Sequence, residues 1–354
     1  MKYITKSLWL LFFAVILCCG IYPALLWVIG QTVFPFQANG SLVKDADGHV
    51  VGSLLIAQPF TKDEYFQPRP SACSYDASAS SSSALAASNY ALRNRVATAL
   101  GPIAKYRGGP KDGQLVAADI EAWFQQDHYQ GSPSIVAQWA DAHNSVAQAW
   151  VTGDPTHTAY VSNWAIAHAP IVAQFIKDNP STPQPQPSDL AMVFFENFSK
   201  ANPGKFLSSV TTNGADGKAV TLLEPVKEGS DIQSTFFDMW RQDHPDVALQ
   251  DVPGDMVTTS GSGLDPHITL QNAEFQLDRV ASKWAADTKR DAAVVRAEIE
   301  GILQNHAFAP FGGLAGEKMV NVLQVNLELR KKYGPPGLIM GRASRPPSAI
   351  SINL

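Results

Sequence analysis

The sequence predicts an α/β fold of the α+β type. One N-terminal transmembrane helix would anchor an extracytoplasmic domain, and a mainly helical subdomain would be inserted in that domain. A run from Ser7 to Gly30 contains no charged residue and no His. β-prone runs follow this segment and recur near the other end of the chain. The stretch from Asp119 to Gln250 gives mainly helical signals. We therefore expect six parts: a cytoplasmic N-terminus (1–6), a transmembrane helix (7–30), a first core part (31–118), a helical Trp-rich insertion (119–250), a second core part (251–333) and a disordered tail (334–354).

Composition limits the classes of protein to consider. The chain has 354 residues, 45% of them apolar, which is enough to bury the cores of two domains. With 17% charged residues and a net charge of −5, it lacks the general basic surface of a nucleic-acid-binding protein. Cys18 and Cys19 lie in the apolar N-terminal run, which leaves Cys73 alone outside it. The sequence therefore predicts neither a disulfide framework nor a Cys-based zinc site.

The N-terminal run has the length and flanks of a membrane span. Leu8 to Ile29 can cross a hydrocarbon core of about 30 Å. Lys2 and Lys6 precede it and the next charge is Lys44, so the positive-inside rule places the N-terminus in the cytoplasm. A cleaved signal peptide is the alternative, but no Ala-x-Ala-like site follows the run. We expect an uncleaved anchor with the bulk of the chain on the far side.

The first core part contains a predicted hairpin, a loop and a helix. Ser41–Val43 and Val50–Ile56 are β-prone and are joined through a turn at Asp45–Gly48. Three prolines predict an ordered loop over Pro59–Pro70, and the Ser- and Ala-rich run that follows looks flexible. Ser88 is expected to cap a helix with an apolar stripe at Leu92, Val96 and Leu100.

Apolar periodicity predicts several helices in the insertion. One helix would start at Ser134 and place Trp139 and Trp150 near one face, and further helices would run over His157–Lys177 and Ser188–Lys200. A last short helix is expected around Phe236, Phe237 and Trp240, and Asn179–Pro187 reads as a polyproline II spacer. Disordered segments are poor in aromatic residues, so the five tryptophans here predict a folded subdomain. They are Trp123, Trp139, Trp150, Trp164 and Trp240.

The second core part should contain two helices and a strand. The helices are expected over Thr269–Trp284 and Asp291–Asn305. Lys318–Leu327 alternates apolar and polar residues, which predicts a strand. Prolines and the lack of apolar periodicity after Tyr333 indicate a disordered tail.

The stretch from Val257 to Ile268 combines more backbone signals than any other. It reads as a strand end, a tight loop and a helix start, in which Gly261 and Gly263 permit positive φ and Ser260 and Ser262 can bond their own backbone. Pro266 fixes φ, and Asp265 or Thr269 could cap the helix. Three interpretations stay open: a structural turn, a site that binds an anion or a partner, and a catalytic loop.

Signatures of common enzyme classes are missing from the sequence. No Lys follows these glycines as in a P-loop, and Ser260 stands two residues before Ser262, where a nucleophile elbow has a glycine. No two histidines have His-Glu-x-x-His spacing, and no dinucleotide-binding fingerprint is present. We expect no catalytic site, no bound cofactor and no metal in this chain.

Several motifs together resemble the C subunit of the bacterial Kdp-type potassium-transporting P-type ATPase. The match covers the first hundred residues and then Asp251 to Leu329, with the insertion between them and Gln67-Pro68 where the family usually has Trp-Gly. The motifs are Pro35–Ser41, Val51–Ser53, Ile56–Phe60, Tyr65–Phe66, Arg69–Ala72, Ser88–Asn89, Asp251–Ile268, Arg279–Ala281 and Val320–Leu327.

This resemblance implies an accessory subunit rather than a catalyst, in a single-pass arrangement at the bacterial plasma (inner) membrane. Its partners would be a channel-like potassium-translocating subunit, a P-type ATPase subunit, a small single-helix subunit and membrane lipid. The complex would use ATP, Mg²⁺ and K⁺. The chain would support assembly and stability and cap the extracytoplasmic ion entrance. The alternatives are a membrane-anchored periplasmic binding module that uses the insertion, and a membrane-anchored hydrolase.

Two groups of residues are the candidates for partner contact or for a structural motif. Tyr65, Phe66 and Arg69 are expected to pack between subunits. The loop from Ser260 to His267 is expected to hold the core and to meet the partner. Asp265 has two possible roles: its carboxylate could attract cations near the entrance, or it could cap a helix. The full set is Tyr65, Phe66, Arg69, Ser260, Gly261, Ser262, Gly263, Asp265, Pro266 and His267.

Overall fold

The computed structural model describes residues 2–44, 48–127, 134–213, 219–314 and 316–334. Two compact units make up the chain. The first unit joins Met1–Ser83 with Thr258–Ser344, and the second is formed mainly by Ala84–Val257. The tail predicted to be disordered lies outside the described residues, except for Gly334. The predicted limits of the inserted sequence, residues 119 and 250, are a separate matter from these units and stay a prediction.

The fold mixes helices with three small two-stranded antiparallel sheets, which confirms the α+β class among the described residues. The helices are α1 (Lys2–Val15), α2 (Tyr22–Val33), α3 (Pro35–Ala38), α4 (Tyr90–Leu100), α5 (Ala117–Gln126), α6 (Ile135–Ala142), α7 (Asn144–Gly153), α8 (Pro155–Ala167), α9 (Ala169–Asp178), α10 (Ala191–Ala201), α11 (Ser230–Asp243), α12 (Gly254–Val257), α13 (Leu270–Thr288), α14 (Ala292–His306) and α15 (Val322–Tyr333). The strands are β1 (Leu42–Lys44), β2 (Val50–Ser53), β3 (Phe206–Asn213), β4 (Ala219–Val226), β5 (His267–Thr269) and β6 (Met319–Asn321).

The N-terminal apolar run forms a helix that is long enough to cross a membrane. A π-helical turn over Ile16–Ile21 links α1 to α2, and the N–H of Tyr22 bonds to the carbonyl of Leu17. Pro23 comes next and has no N–H to donate, so the ordinary hydrogen-bond ladder cannot continue at this point. Tyr3–Val33 spans 31 residues, and no residue of its most apolar stretch is buried within the chain, which is consistent with the predicted anchor.

The predicted hairpin after this helix is confirmed, although its second strand is shorter than expected. β1 pairs with β2, with Leu42 opposite Ser53. The hydroxyl of Ser53 donates to the carbonyl of Gly40 at 2.7 Å and accepts from the N–H of Leu55 at 3.1 Å. These bonds turn the chain, so Leu54 to Ile56 leave the strand. Most of the predicted turn, Asp45–Asp47, lies outside the described residues.

The core of the first unit lies between α13, α14, α15 and the β5–β6 pair. The two helices predicted after the loop are confirmed, and Asp291 caps α14 by accepting from the N–H groups of Ala293 and Val294 at 2.9 and 3.0 Å. The loop over Pro59–Pro70 is irregular, as predicted. The buried residues of this core include Phe66, Leu277, Val280, Val295, Ile299, Leu303, Val325 and Leu329.

The strand predicted over Lys318–Leu327 is wrong beyond Asn321. Only Met319–Asn321 forms β6, and the side chain of Asn321 then accepts from the N–H of Gln324 at 3.2 Å and starts α15. Val322, Leu323 and Val325 are buried on α15. Val322, Val325 and Leu329 have the i, i+3 and i+7 spacing of one helix face, and the Asn cap decides between the two structures.

The second unit has a core of aromatic side chains, as its tryptophan content predicted. The ring of Trp139 contacts those of Phe195 at 5.2 Å and Phe206 at 5.7 Å. Phe236 packs at right angles to Phe206 at 5.1 Å. Trp123 and Trp240 are also buried in this cluster. Aromatic pairs in such edge-to-face arrangements stabilise a core beyond their buried area.

Two helices that were predicted to be continuous are each broken at a histidine. α6 ends at His143 and α8 ends at His168, so the helices expected from Ser134 and over His157–Lys177 are each two helices. In both cases the ring Nδ1 lies near the carbonyl of the Trp four residues earlier, at 3.2 and 2.9 Å. The ring thus contacts a carbonyl of the last turn and ends the helix there.

Other details of the second unit also differ from the predictions. The β3–β4 hairpin was not predicted, and α11 extends well beyond the short helix expected around Phe236. α10 begins at Ala191 rather than Ser188, and the predicted polyproline spacer before it contains turns and bends. Asn89 instead of Ser88 caps α4, because its side chain accepts from the N–H of Ala91 at 2.9 Å.

Candidate functional site

The loop between Thr258 and Pro266 is held by the irregular segment that runs from Ala57 to Ser83. The Arg69 guanidinium donates to the carbonyl of Thr259 at 3.1 Å, and the Ser71 hydroxyl donates to that of Gly263 at 2.6 Å. The N–H of Ala57 donates to Leu264 at 2.8 Å. Because these donors come from a segment nearly 200 positions away, the loop is a structural part of the first unit.

The glycines of this loop differ in their surroundings. Gly263 has φ +71°, and a Cβ built on it would lie 2.8 Å from both the Cys73 sulfur and the Ser81 carbonyl oxygen. Gly261 is exposed, does not have a positive φ, and has nothing within 4 Å of a built Cβ. Gly263 therefore adopts the positive φ that a glycine permits, whereas Gly261 does not.

Asp265 does not cap a helix. Its carboxylate accepts from the backbone N–H of His267 at 3.0 Å and lies 3.0 Å from the Nδ1 of the same residue. The strand β5 comes between Pro266 and the helix, and Thr269 caps α13 by accepting from the N–H of Asn272 at 3.1 Å. Of the two predicted caps, Thr269 is thus the one that the structure uses and Asp265 is not. The extended conformation expected at Val257 is wrong, because this residue ends α12.

The serines of the loop bond its own backbone, as predicted. Ser262 Oγ accepts from the N–H of Leu264 at 3.1 Å, and Ser260 Oγ accepts from that of Asp265 at 3.4 Å. Within the described structure neither hydroxyl bonds to His267, so this loop contains no Ser–His pair of the kind used for nucleophilic catalysis.

An open cleft lies beside these residues. It is lined by Leu55 and Ile56 from the end of the first hairpin and by the loop from Ser260 to His267. The exposed fraction of Leu55 is 60%, so an apolar side chain stands at the edge of a polar loop. This combination of apolar and polar groups suits contact with another protein.

Asp265 is held in its ionised form. Burial disfavours the charge, but hydrogen bonds from the side chain and backbone of His267 and the charge of Arg69 outweigh this effect. The net result is a lowered pKa for Asp265. The cleft therefore presents a carboxylate that is negative at neutral pH.

A pH-dependent contribution to stability follows from this lowered pKa. The contribution is present above the ordinary pKa of 3.8 and is lost as the pH falls through the folded-state pKa. The difference in melting temperature between wild type and Asp265→Asn should therefore be largest near neutral pH and shrink below about pH 4. Thermal scans of the two proteins from about pH 7 to about pH 3 measure it, and a constant difference would contradict the assignment.

A second set of contacts fixes the segment that carries the other candidate residues. Phe66 is 1% exposed, and one side-chain amide, that of Asn326, bonds both its backbone N–H and its backbone carbonyl. The N–H of Phe66 donates to Asn326 Oδ1 at 2.8 Å, and Asn326 Nδ2 donates to the Phe66 carbonyl at 2.8 Å. Asn326 is fully buried in α15. This pair of bonds fastens the Pro59–Pro70 loop to the last helix.

The next residue of this loop is bound in the same way from α13. The N–H of Gln67 donates to Gln276 Oε1 at 2.8 Å, and Gln276 Nε2 donates back to the Gln67 carbonyl at 3.1 Å. Arg279, one turn further on, donates to the carbonyls of Asp63 and Tyr65 at 2.8 and 3.1 Å. Asn326 and Arg279 fall within motifs that resemble the Kdp family, and Gln276 precedes one of them. The sequence alone did not show that these three side chains bond the backbone of the Pro59–Pro70 loop and hold it in place.

The structure assigns different environments to Tyr65, Phe66 and Arg69. Phe66 belongs to the core, which leaves it little surface for a partner. Tyr65 is half-buried against Phe60 and Trp284, with ring centroids 5.6 and 6.3 Å away, and burial raises the pKa of its hydroxyl. Arg69 is brought to the Thr258–Pro266 loop. Partner contact by these residues stays a prediction.

No group of three or more His, Cys, Asp or Glu side chains is arranged to hold a metal ion within the described ranges. Asp265 and His267 are paired with each other instead, and the His267 ring packs edge-on against Phe308 at 5.3 Å. The described site is thus a loop held by hydrogen bonds, with the ionised carboxylate of Asp265 beside an open cleft.

The sequence matches a protein-family model in two separate segments. The family model of the K⁺-transporting ATPase c chain, KdpC, matches residues 4–122 and 205–331. The unmatched stretch between these segments shows that the chain has a long central insertion relative to this family model.

Individual relatives match shorter parts of the chain. The potassium-transporting ATPase KdpC subunit of Synechocystis sp. is 56% identical over 81 residues, which cover 22% of this chain and 43% of the relative. The corresponding subunit of Geobacter sulfurreducens is 54% identical over 72 residues, covering 20% and 38%. That of Pseudomonas putida is 47% identical over 95 residues, covering 27% and 52%. The chain thus spans about half the length of these relatives, or less.

Proposed function

Because the chain belongs to the KdpC family, the c chains of K⁺-transporting ATPases, we propose that it is a non-catalytic accessory subunit of an ATP-driven potassium uptake complex. The observation that carries this proposal is the match of the family model on both sides of the insertion. Asn326 and Arg279 lie in the second matched segment. The Pro59–Pro70 loop, whose backbone they bond, lies in the first. The family core is thus closed by contacts between the two matched segments.

The proposed arrangement has one membrane helix with residues 1–6 in the cytoplasm and the bulk of the chain outside. The apolar span Tyr3–Val33 supports insertion in a bacterial plasma membrane. Lys2 and Lys6 lie near its N-terminal end, and Lys44 is the next charge beyond it. This asymmetry favours a cytoplasmic N-terminus.

We propose that the cleft beside the Ser260–His267 loop docks on the channel-like subunit and supports assembly with the P-type ATPase and small single-helix subunits. The exposed side chain of Leu55 at its edge supplies apolar contact area. The half-buried ring of Tyr65, which does not line the cleft, would be a separate contact. Hydrogen bonds to Thr259 and Gly263 hold the loop in place before a partner arrives. Such preorganisation reduces the entropy lost on association.

The same loop would cap the ion entrance. The Asp265 side chain is 36% exposed and ionised, so its potential can raise the local concentration of K⁺. In Asp265→Asn we expect the potassium concentration for half-maximal transport to rise by about two- to fivefold. Asp287→Asn is the matched control, because Asp287 pairs with Lys283 on the surface of α13. An intact complex with unchanged potassium affinity would exclude the cation-attracting role.

Deletion of the chain in its source cell tests the proposed function as a whole. Cells without it should need a higher external potassium concentration for growth, and the full chain supplied in trans should restore growth at low potassium. Growth that is independent of the chain in medium where potassium uptake is limiting would contradict the proposal.

A further inference from the structure

The chain turns back on the membrane helix as soon as that helix ends. Only Phe34 separates α2 from α3, and a Cβ built on Gly30 would lie 3.5 Å from the Ala38 methyl group. The Asn39 side-chain amide donates to the Gln31 side chain at 3.4 Å. Ala38 and Asn39 therefore lie beside the last turns of α2, at the level where the proposed span leaves the membrane.

The start of the first hairpin stays at this level. Gly40 and Ser41 have φ values of +83° and +49°, and two successive residues with positive φ turn the chain sharply. The N–H of Ser41 donates to the Phe36 carbonyl at 2.9 Å. Leu42 follows after one Cα step of about 3.8 Å. Phe36 and Leu42 thus lie close to each other and close to the end of α2.

Apolar side chains are exposed at this end of the membrane helix. The membrane-proximal patch consists of Phe34, Phe36 and Leu42, whose exposed fractions lie between 44% and 54%. The patch continues the exposed apolar surface of Tyr3–Val33, because Phe34 is the next residue. The sequence carries no charge from residue 7 to residue 43. Phe and Leu side chains in a neutral segment of this kind are favoured at the boundary between lipid headgroups and acyl chains.

The backbone of this segment is paired to a degree that suits a poorly hydrated environment. The four carbonyls of Phe34–Gln37 accept hydrogen bonds from the four N–H groups of Ala38–Ser41, at 2.9 to 3.2 Å. Pro35 has no N–H to donate. Near hydrocarbon, backbone groups must find partners within the protein, because little water is present to replace them. The pairing therefore lets this segment lie at the edge of the hydrocarbon core.

Hydrogen bonds join the segment to the core of the first unit and to the cleft. The N–H of Leu54 donates to the Ser41 carbonyl at 3.1 Å. The side chain of Asn321 in β6 donates to the Leu54 carbonyl at 2.9 Å. β6 pairs with β5, which begins at His267 at the end of the cleft loop. A continuous path of hydrogen bonds thus runs from the end of the membrane helix to the cleft.

We propose that the membrane-proximal patch lies among the phospholipid headgroups of the outer leaflet and seats the domain on the membrane. This inference rests on the proposed function, because it requires the span to be inserted with the bulk of the chain outside. The headgroup layer on each side of a bilayer is about 5–8 Å thick, so it reaches side chains beside the end of the span. The three side chains of the patch have no polar group, so the patch lacks the polar rim of a protein interface. Lipid contact here would hold the Ser260–His267 loop at a fixed height above the membrane.

The test measures the depth of single spin labels on the full chain in vesicles of phosphatidylethanolamine and phosphatidylglycerol in equal amounts. Oxygen is apolar and concentrates in lipid, whereas a water-soluble nickel complex stays outside, so the ratio of their collision rates with the label reports depth. Val294 is the matched control, because this apolar side chain on α14 is 49% exposed. Circular dichroism checks that each variant is folded. In a chain with Cys18→Ala, Cys19→Ala and Cys73→Ser, the labelled variants are Phe36→Cys, Leu42→Cys, Leu26→Cys in the span and Val294→Cys.

We expect the ratio of oxygen to nickel collisions at Phe36 and Leu42 to exceed that at Val294 by at least about threefold and to stay below that at Leu26. If Leu26 lies in lipid but Phe36 and Leu42 match Val294, the patch faces water. That result would overturn the lipid contact and leave the proposed anchor intact, whereas a water-accessible Leu26 would overturn both. In the complex reconstituted with its co-purified subunits, loss of both collision rates at Phe36 and Leu42 would show that protein covers the patch, which also overturns the proposal.

Discussion

Replacing Asn326 with Leu should lower the free energy of unfolding of the first unit by about 2–4 kcal/mol. The Asn326 amide bonds both the N–H and the carbonyl of Phe66 at 2.8 Å, and neither Asn326 nor Phe66 is exposed by more than 1%. Leu is similar in size but supplies neither a donor nor an acceptor. Both backbone groups of Phe66 would be left buried and unpaired. Thermal or denaturant unfolding of the detergent-solubilised chain measures the loss.

Gln324→Leu is the matched control for this change. Gln324 lies on the same helix and is partly exposed, and its side chain makes no hydrogen bond in the described structure. Its replacement by Leu should change stability by less than about 0.5 kcal/mol. If Asn326→Leu were as stable as Gln324→Leu, the Asn326 amide would not contribute to holding the Pro59–Pro70 loop, and the account would be contradicted. Asn326→Asp, which when protonated keeps an acceptor oxygen and offers one O–H donor in place of the amide N–H groups, should fall between wild type and Asn326→Leu at a pH where it is protonated.

Gly263→Ala should destabilise the Thr258–Pro266 loop by about 2–4 kcal/mol. The residue has φ +71°, a conformation that costs a non-glycine residue about 1–2 kcal/mol. The new methyl group would also lie 2.8 Å from the Cys73 sulfur and from the Ser81 carbonyl oxygen. The Ser81 contact involves backbone, which cannot rotate away as a side chain can. The melting temperature should fall, and the Cys73 thiol, which lies beside the loop, should react faster with thiol reagents.

Gly261→Ala, two residues earlier, separates this effect from a general intolerance of the loop. Gly261 does not have a positive φ, and open space surrounds its built Cβ. The substitution should be neutral or stabilise slightly, because Ala restricts the unfolded chain more than Gly does. Equal destabilisation by both substitutions would contradict the environments assigned to the two glycines.

Local sequence signals predicted the elements whose turns and caps are unambiguous. The Asp47-Gly48 signal and its flanking β-prone runs gave the first hairpin, and Asp291 marked the start of α14. The strand prediction over Lys318–Leu327 failed because the same segment also places Val322 and Val325 at the i, i+3 spacing of a helix face. The side-chain cap supplied by Asn321 decided for the helix. The β3–β4 hairpin was missed because its flanking helices dominated the signal.

The candidate site was predictable only in its local part. Gly263 and the serines of the loop behave as turn chemistry requires. Asp265 was assigned as a possible cap because a strand of three residues, β5, could not be foreseen between it and α13. The bonds between Phe66 and Asn326 join residues 260 positions apart. No local pattern carries that information, since such a pair is defined only after the two segments pack together.

Purification of the tagged chain from membranes is the most direct test of the central claim that it is a subunit of a potassium pump. The chain would carry a tag at its C-terminus and be expressed with the other pump subunits of its source cell. After solubilisation in mild detergent, mass spectrometry would identify and quantify the proteins that co-purify. We expect a channel-like subunit and a P-type ATPase subunit in fixed ratio to the chain. Recovery of the chain alone, with those subunits present in the same membranes, would contradict the account.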